Sequence, residues 1–399
     1  MIPLEEAQSH ILDRVSRLGT VRHPLRGAAG LVTTEAVTAS ENIPPFANTA
    51  MDGFAVQAAD TSGAPKVLSV VGTIAAGDAG DITVGPGQAA RIMTGAPMPP
   101  GADAVVMVER TSVDGDEVTV EIEVPTGNHV RAAGEDVRPG DVVFEAGIVL
   151  SPGHLGVLAS LGLTEVAATP RARVGVLSTG DELVEGPVEL APGQIRDSNR
   201  TTLLALLAEA GCEPVDLGIA RDDEDAIAAA IETGVADCDA LLTSGGVSMG
   251  DFDWVKVVLD RIGDMRWMQV AIKPAKPLAF GLVDGTPVFG LPGNPVSSMV
   301  SFELFARPAL RKMMGHSRHH RTRVTAVADE PMRRGADGKT HFARVVWHYA
   351  DGEYRFGSAG GQGSHQLAAM ATANGLAVIP DGDGVAEGKT AELIRLRED

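Results

Sequence analysis

Aromatic residues and positive charge are both scarce in this chain. Aromatic side chains make up 4% of the 399 residues, too few for the stacking platforms that bind single-stranded nucleic acids. Lys and Arg number 33 against 53 Asp and Glu, which gives a net charge of −20. We therefore expect no nucleic-acid binding, because such binding needs a broad basic surface. An anionic substrate would have to be bound by a local cationic patch.

Cysteines and long apolar runs are also lacking. Cys212 and Cys238 form no CxxC pair, which argues against a zinc knuckle or a disulfide scaffold. We expect both to be buried thiols in a reducing compartment. No apolar run approaches the ~20 residues of a membrane span, and MIPLEEAQSH at the start has no apolar signal core. These features predict a soluble, cytoplasmic protein that does not bind membranes.

The chain divides into successive regions that differ in their sequence pattern. Residues 3–18 place apolar side chains on one helical face and predict an amphipathic helix. Residues 20–170 are short apolar runs broken by Gly, Pro and Asp, typical of β-rich structure. From residue 173, strands alternate with helices, which predicts a doubly wound parallel sheet whose ligands bind at the carboxyl ends of the strands. Beyond a basic run at 316–323, expected to be a solvated linker, a small β domain closes the chain.

The segment SGGVSMGDFDWVK, residues 244–256, lies where a predicted parallel strand gives way to a helix. Five of its residues are candidates for binding a phosphate or a metal ion: Gly245, Gly246, Ser248, Asp251 and Asp253. Glycines at such a turn let backbone N–H groups approach a phosphate, and the helix dipole favours the anion. The aspartates are hard oxygen ligands suited to Mg²⁺. A plain strand-to-helix turn capped by aspartates is the alternative interpretation.

The same segment fits the G-x-S-x-G pattern of a serine hydrolase, with Ser248 as nucleophile. Asp284 with His341 or His365 could then complete a triad. The two glycines separate strand and serine differently from a tight nucleophile elbow, and no HGGG-like oxyanion loop is present. We therefore favour phosphate binding over a serine hydrolase as the function of this segment.

Further polar residues are expected at the same edge of the sheet. Asp181 and Glu182 follow the first strand, in LSTGDEL, and Asp222 opens a predicted helix, where it suits an N-cap better than a metal ligand.

Other candidate residues come from loops and turns elsewhere in the chain. Lys273 and Lys276 lie in a proline-stiffened stretch and could hold a small oxyanion. The turn GLPGNPVSS, 290–298, provides two helix-capping side chains that could also line a pocket, Asn294 and Ser297. In the β-rich part, three polar residues precede or occupy ordinary turns: Asp52, Thr94 and Asp136.

Seven segments occur in the order found in one known family: MDGFAV, IMTGAPMPPGADAVVMVE, HVRAAGEDVRPGDVV, STGDEL, SGGVSMGDFD, KPAKPLAFG and GLPGNPVS. Together they resemble the molybdopterin molybdenumtransferases, the MoeA family, which also includes the E domain of gephyrin. The resemblance covers residues 45–305. Two departures stand out: Phe54 replaces a frequent Tyr, and Ala275 replaces a frequent Gly in the lysine loop.

The resemblance implies insertion of molybdate into adenylylated molybdopterin, with Mg²⁺-dependent hydrolysis of the adenylate and release of AMP. It also implies a homodimer in which the 40–139 domain of one subunit faces the α/β domain of the other. We expect four domains: an α/β domain (1–19 and 170–317), a connecting β domain (20–39 and 140–169), an inserted mixed β domain (40–139) and a C-terminal barrel-like domain (318–399). A molybdopterin adenylyltransferase and proteins that mature molybdoenzymes are the expected partners.

Roles for individual residues follow from combining the motifs with the resemblance. Catalytic roles are expected for Asp52, Thr94, Glu182, Asp222 and Asp253. Binding of the pterin substrate and molybdate is expected for Gly245, Gly246, Ser248, Lys273, Lys276, Pro292 and Pro295. Magnesium ligands are expected among Asp181, Glu182, Asp251 and Asp253. Molybdopterin adenylylation, a non-catalytic scaffold and a serine hydrolase remain the alternative functions.

Overall fold

The computed structural model describes residues 1–78, 81–245 and 254–398. The chain forms two compact units. The first comprises Met1–Val21, Gly30–Val32 and Ala168–Asp399, and the second comprises Arg22–Ala29 and Thr33–Ala167. None of the helices among the described residues has the length and apolar character needed to cross a membrane.

A six-stranded sheet is the centre of the first unit. Its strands are β1 (Arg173–Thr179), β2 (Glu213–Ala220), β3 (Ala240–Ser244), β4 (Asp264–Gln269), β5 (Pro277–Val283) and β6 (Thr286–Leu291). The spatial order is β2-β1-β3-β6-β5-β4, and the first four strands in that order run parallel. This confirms the predicted doubly wound sheet and adds an antiparallel edge, β5 and β4. Asp284 and Gly285, both with positive φ, form a two-residue turn between β5 and β6, which is too short for a parallel crossover.

Helices cover both faces of this sheet. They are α1 (Leu4–Arg14), α2 (Asn199–Ala210), α3 (Glu224–Asp237), α4 (Trp254–Ile262), α5 (Pro295–Ser301) and α6 (Arg307–Met313). One apolar cluster joins α1, α2, α5 and α6 to one face, and a second joins α3 and α4 to the other. Leu242 belongs to the first cluster and its neighbour Leu241 to the second, as expected when successive strand residues point to opposite faces.

The helix ends differ in part from the predictions. The first helix ends at Arg14 rather than near residue 18, because Val15 is extended. Gly211, with φ of 89°, ends α2, because the left-handed backbone conformation favours glycine. The expectation that Asp222 caps α3 was wrong: the cap is Asp223, whose side chain accepts a hydrogen bond from the Ala226 N–H.

A closed barrel forms the C-terminal part of the first unit. Its strands are β7 (Arg323–Ala328), β8 (Thr340–Ala350), β9 (Glu353–Ser358), β10 (Gly375–Ile379) and β11 (Thr390–Arg395). They pair in the closed ring β8-β9-β7-β11-β10. Two shorter strands pair beside it, Met332–Arg333 and Gly384–Val385, and one helix follows β9, α7 (Leu367–Thr372). Ile272–Lys273 adds to β8 in parallel, so the barrel anchors the lysine loop.

The second unit is β-rich, as predicted. Its six-stranded sheet contains, in spatial order, Ala104–Met107, Gly53–Val56, Gln88–Ile92, Lys66–Ile74, Glu117–Val120 and Thr111–Asp114. Separate apolar clusters cover the two faces, and Phe54 is buried in one of them. Two strand pairs lie outside the sheet, Asn48–Thr49 with Val130–Arg131 and Val37–Thr38 with Val142–Phe144, and one helix spans Pro152–Ser160. Short strands near the boundary between the units are Val21–Pro24, Val32–Thr33 and Glu165–Thr169, and a two-stranded pair in the first unit joins Leu183–Val184 to Ile195–Arg196.

The basic run at 316–323 is solvated in part: five of its eight residues are exposed, as expected for a linker. His316, in contrast, is 5% exposed, and burial, with nearby arginines, lowers its pKa to about 4. Arg321 donates two hydrogen bonds of 2.9 Å to the buried carboxylate of Glu303. These two residues therefore anchor the run to the helical segment that carries Glu303. Both cysteines are buried and unbridged, as predicted.

Gly53 provides a test of packing in the second unit. It lies between two strands, opposite Ile92 and Met107, and an added Cβ would lie 2.0 Å from the Val106 carbonyl oxygen. Replacement by alanine must move backbone rather than a flexible side chain. We expect Gly53→Ala to lower the free energy of unfolding by about 1–3 kcal/mol or more, measured by denaturant titration.

Gly156→Ala is the matched control in the same unit. Gly156 lies in the exposed part of a helix, and an added Cβ meets no atom within 4 Å. The control should be neutral or stabilise by about 1 kcal/mol, since alanine favours helix over glycine. Equal stability of the two variants would contradict the packing argument.

Candidate active site

The carboxyl ends of the parallel strands meet at one edge of the sheet. The Gly245 N–H, just past β3, donates to the Leu291 carbonyl at the end of β6 over 3.1 Å. The Gly180 N–H, just past β1, donates to the Ala220 carbonyl at the end of β2 over 3.3 Å. Four loops therefore start from one hydrogen-bonded edge, where α/β sheets bind their ligands.

Asn199 ties this edge together from the first residue of α2. Its side-chain Nδ2 donates to Ser244 Oγ and to the Gly293 carbonyl, each over 2.7 Å. The residue is buried, and its Oδ1 has no hydrogen-bond partner in the part of the chain that the structure describes. Sequence reasoning treated Asn199 only as a helix start. The polar pair Ser198-Asn199, opening a helix at this edge, was the available signal.

The acidic residues predicted at this edge lie together. The Asp222 N–H donates to Asp181 Oδ1 over 3.3 Å. The Glu182 carboxylate folds over Gly180 and occupies the space that a Cβ would need there, with an oxygen 2.5 Å from the Cβ position. Asp181 and Glu182 are exposed and accessible to a ligand.

Glycine is required where β3 ends. Gly245 has φ of 101°, and an added Cβ would lie 3.3 Å from the Thr179 carbonyl oxygen. Its backbone therefore fits closely against the end of β1, and phosphate binding at this turn stays a prediction. The remaining predicted residues of this turn lie outside the described residues: Gly246, Ser248, Asp251 and Asp253.

Only part of the predicted magnesium site lies among the described residues. Asp181 and Glu182 offer hard oxygen ligands of the kind Mg²⁺ prefers. Within residues 1–78, 81–245 and 254–398, no group of three or more His, Cys, Asp or Glu side chains is placed to hold a metal ion. Mg²⁺ usually keeps several waters and binds one or two carboxylates together with substrate phosphates, and Asp251 and Asp253 stay predictions.

The hydrolase triad does not assemble around this edge. Asp284 lies in the turn before β6, at the end of the sheet opposite Ser244 and Gly245. A residue at that end cannot orient a histidine beside the turn that follows β3. The triad with Asp284 is therefore wrong.

The predicted lysine loop borders a cavity of about 700 Å³. Its polar lining includes Lys273, Lys276, Asn294, Ser297, Lys339 and Ser364, and Pro292 adds to its wall. Pro274 and Ala275 are buried, whereas both lysines are exposed. The loop thus rests on its apolar residues and leaves the two ammonium groups accessible.

Ala275 keeps the backbone that the frequent glycine would have at this position. Its φ is 72°, in the left-handed region that favours glycine, and it is 3% exposed. The departure from the family pattern therefore leaves the turn in place, at a backbone cost of about 1–2 kcal/mol.

The turn before α5 contributes to the cavity rather than capping the helix. Asn294 occupies the N-cap position, but its side chain makes no capping hydrogen bond, so the capping prediction was wrong. Pro295 is the first helical residue and does not line the cavity. The Val296 N–H donates to the Ser364 carbonyl over 3.2 Å, which brings the loop after β9 to the cavity. Ser364 was missed because GSAGGQGS showed only a turn composition.

Asp52 and Thr94 are hydrogen-bonded to each other in the second compact unit. Asp52 Oδ1 accepts hydrogen bonds from the Thr94 N–H over 2.7 Å and from Thr94 Oγ1 over 2.6 Å. The side-chain hydrogen bond, followed by the backbone one, lowers the pKa of Asp52. Sequence reasoning singled out the two residues separately, and the structure pairs them. Asp136 makes no comparable contact with them in the described part of the chain, and its own N–H donates to the Ile43 carbonyl.

Comparison with known proteins covers the whole chain. Three family models match: the MoeA N-terminal region (domain I and II) at residues 2–162, a probable molybdopterin binding domain at 175–312, and the MoeA C-terminal region (domain IV) at 325–396. Molybdopterin molybdenumtransferase 2 of Mycobacterium tuberculosis is 41% identical, with 96% of each chain covered. The molybdopterin molybdenumtransferase of Haemophilus influenzae is 38% identical, with 98% of each covered. The solved moeA protein of Pyrococcus horikoshii OT3 superposes with a TM-score of 0.80 at 30% identity, over 99% of this chain and 100% of that one.

Asn199→Ala tests the hydrogen bonds by which Asn199 connects the end of β3 to the turn after β6 at the sheet edge. The change leaves Ser244 Oγ and the Gly293 carbonyl without their donor, and an unsatisfied buried polar group costs about 1–3 kcal/mol. We expect a loss of unfolding free energy of that size by denaturant titration. Thr201→Ala, at an exposed position of the same helix, should change stability little. A neutral Asn199→Ala would show that the bridge does not hold the edge.

Proposed function

The chain belongs to the MoeA family of molybdopterin molybdenumtransferases, and we propose that it inserts molybdate into adenylylated molybdopterin with release of AMP. Insertion of molybdenum during molybdenum cofactor biosynthesis follows from the full-length identity to named molybdenumtransferases. Hydrolysis of an adenylate, the magnesium ion, the dimeric state and the cytoplasmic location go further and are proposals. The alternative adenylyltransferase function would consume ATP, which the same assay can follow.

The lysine cavity is the single observation that carries the proposal. Molybdate is a tetrahedral dianion, and a chain with a net charge of −20 repels it at a distance. Lys273 and Lys276 place two exposed ammonium groups at one cavity. Charge-assisted hydrogen bonds from these groups, with the hydroxyls of Ser297 and Ser364 nearby, suit such an oxyanion. No cysteine is needed, because the dithiolene of the pterin supplies the permanent ligands of the metal.

The sheet edge is the proposed position of the adenylate phosphates. The Gly245 turn keeps side chains away from the backbone there, and the carboxylates of Asp181 and Glu182 stand exposed beside it. A Mg²⁺ ion held by these carboxylates, with Asp251 and Asp253, would polarise the phosphoryl group. Glu182 is positioned to accept a hydrogen bond from an attacking water, since its carboxylate lies at the mouth of the β1 turn.

We also propose that the enzyme is a cytoplasmic homodimer that receives its substrate from a molybdopterin adenylyltransferase. Asp52 and Thr94 belong to the second unit, whereas the lysines and the sheet edge belong to the first. In a symmetric dimer, the second unit of one subunit can complete the site of its partner. The hydrogen bonds from Thr94 lower the pKa of Asp52 and hold its carboxylate in one orientation, which suits a residue that binds a cation or orients a proton donor.

Lys276→Ala tests the lysine cavity. A charge-assisted contact is worth about 1.5–3 kcal/mol, so the variant should need roughly tenfold more molybdate or a still higher concentration for half-maximal AMP release. Binding of adenylylated molybdopterin should change less. Lys66→Ala, an exposed lysine of the second unit, is the control and should behave as the wild type. Unchanged molybdate saturation in both Lys273→Ala and Lys276→Ala would remove the lysines from the oxyanion site.

Mixing two inactive variants tests whether the site is shared. Asp52→Asn and Asp253→Asn should each abolish AMP release as homodimers. If Asp52 acts in the partner's site, a mixed dimer has one site with both residues intact. An equal mixture should therefore recover about a quarter of wild-type activity, because half of the dimers are mixed. Inactive mixed dimers, with their formation verified by native mass spectrometry, would place both residues in one subunit.

A further inference from the structure

A second cationic cavity lies in the first unit, away from the lysine loop. It measures about 530 Å³ and shares no lining residue with the lysine cavity. Six arginines line it: Arg307, Arg311, Arg318, Arg321, Arg395 and Arg397. They come from α6, from the basic run and from the end of β11. Neither the family motifs nor the proposed reaction uses this cavity.

Positive charge in this cavity exceeds the available carboxylates. Arg321 pairs with Glu303 and Glu209, and Arg395 pairs with Glu398. Among the described residues, six guanidinium groups face three carboxylates, those of Glu209, Glu303 and Glu398, so the arginines outnumber them by three. Such an excess within a chain of charge −20 concentrates anions at this position.

Some of these arginines have structural partners and others do not. Arg307 donates to the His319 carbonyl over 3.1 Å, and Arg397 donates to the carbonyls of Ala371, in α7, and Ala373, just after it. Arg311 makes no side-chain hydrogen bond or ion pair with any of the residues that the structure describes. Arg318 is exposed at the rim and also lacks such a partner among those residues. Structural roles therefore do not account for Arg311 and Arg318.

Burial makes a shortage of counter-charge costly. The Arg307 side chain is 11% exposed, and its Nε lies 3.9 Å from the Glu303 carboxylate, which Arg321 also binds. Burial, together with Arg321 close by, lowers the pKa of Arg307 to about 10, and burial also lowers the pKa of Arg311. A buried guanidinium without a counter-charge is unfavourable. A bound anion would supply that counter-charge to Arg311 and would add to the carboxylate that Arg307 shares with Arg321.

The size and lining of the cavity indicate the class of anion. A tetrahedral oxyanion fills about the volume of two or three waters, ~60–90 Å³, far less than the cavity offers. Guanidinium groups match phosphoryl oxygens in bidentate geometry. We propose that this arginine cavity binds a polyanion of two or more linked phosphoryl groups, such as diphosphate, triphosphate or the phosphate chain of a nucleotide. The proposal does not rest on the proposed reaction.

Calorimetric titration of the full chain with sodium triphosphate tests the proposal. We expect saturable binding with one site per chain, and at least tenfold weaker binding by Arg311→Gln. Arg323→Gln is the control, because Arg323 pairs with Glu392 outside the cavity, and it should bind as the wild type does. Arg318→Gln, at an exposed position, should weaken binding several-fold without a risk to folding.

Two further measurements show which of the two cavities binds triphosphate and whether the ligand is a nucleotide or a phosphate chain alone. The double variant Lys273→Ala and Lys276→Ala should retain triphosphate binding, which distinguishes this cavity from the lysine cavity. ATP bound as tightly as triphosphate would support recognition of the phosphate chain alone, whereas tighter binding of ATP would support a nucleotide. Absence of saturable binding would overturn the proposal. So would binding that is lost in the lysine variant and unchanged in Arg311→Gln and Arg318→Gln.

Discussion

The hydrogen bonds of one buried asparagine hold the candidate active site in register. Asn199 joins the end of β3, through Ser244, to the turn after β6, through Gly293. Because the strands are parallel, their loops all leave from the same edge, and a small shift of one strand would misplace every loop. The backbone contact between Gly245 and Leu291 reinforces this joint. The turn before α5 is held directly by this joint, whereas the acidic turn after β1 is held by the hydrogen bond from the Gly180 N–H to the Ala220 carbonyl.

The barrel supplies the second support of the site. Ile272–Lys273 pairs with β8, and the Val296 N–H at the start of α5 donates to the Ser364 carbonyl. The two exposed lysines are therefore carried by a backbone that two domains of the first unit fix from either side. Since ammonium groups are flexible and strongly hydrated, a rigid loop is what concentrates their charge at one place.

Much of the α/β domain could be predicted from the sequence, because β1, β3 and α2 have clear apolar patterns and clear ends such as Gly211. The edge strand β4 could not, because DMRWMQ pairs on one side only and has no apolar run. Asp222 and Asp223 are adjacent aspartates and are equally suitable as helix caps by residue type. The backbone conformation at the start of α3 makes Asp223 the cap. Asn199 acts on residues 45 and 94 positions away, a distance at which a single sequence gives no pairing signal.

The two cationic cavities use different side chains for a physical reason. Lys273 and Lys276 are exposed, so each pays little desolvation and can release a bound oxyanion as readily as it binds one. Arg307 and Arg321 are largely buried, with side chains 11% and 16% exposed, and burial strengthens electrostatic contacts. One helical segment connects the two environments, since α5 begins at the lysine cavity and α6 lines the arginine cavity. The π-helical turn Phe302–Ala306 joins them, with the Arg307 N–H bonded to the Phe302 carbonyl. Ser297 and Arg307 therefore lie on one continuous helical segment, with one residue at each cavity.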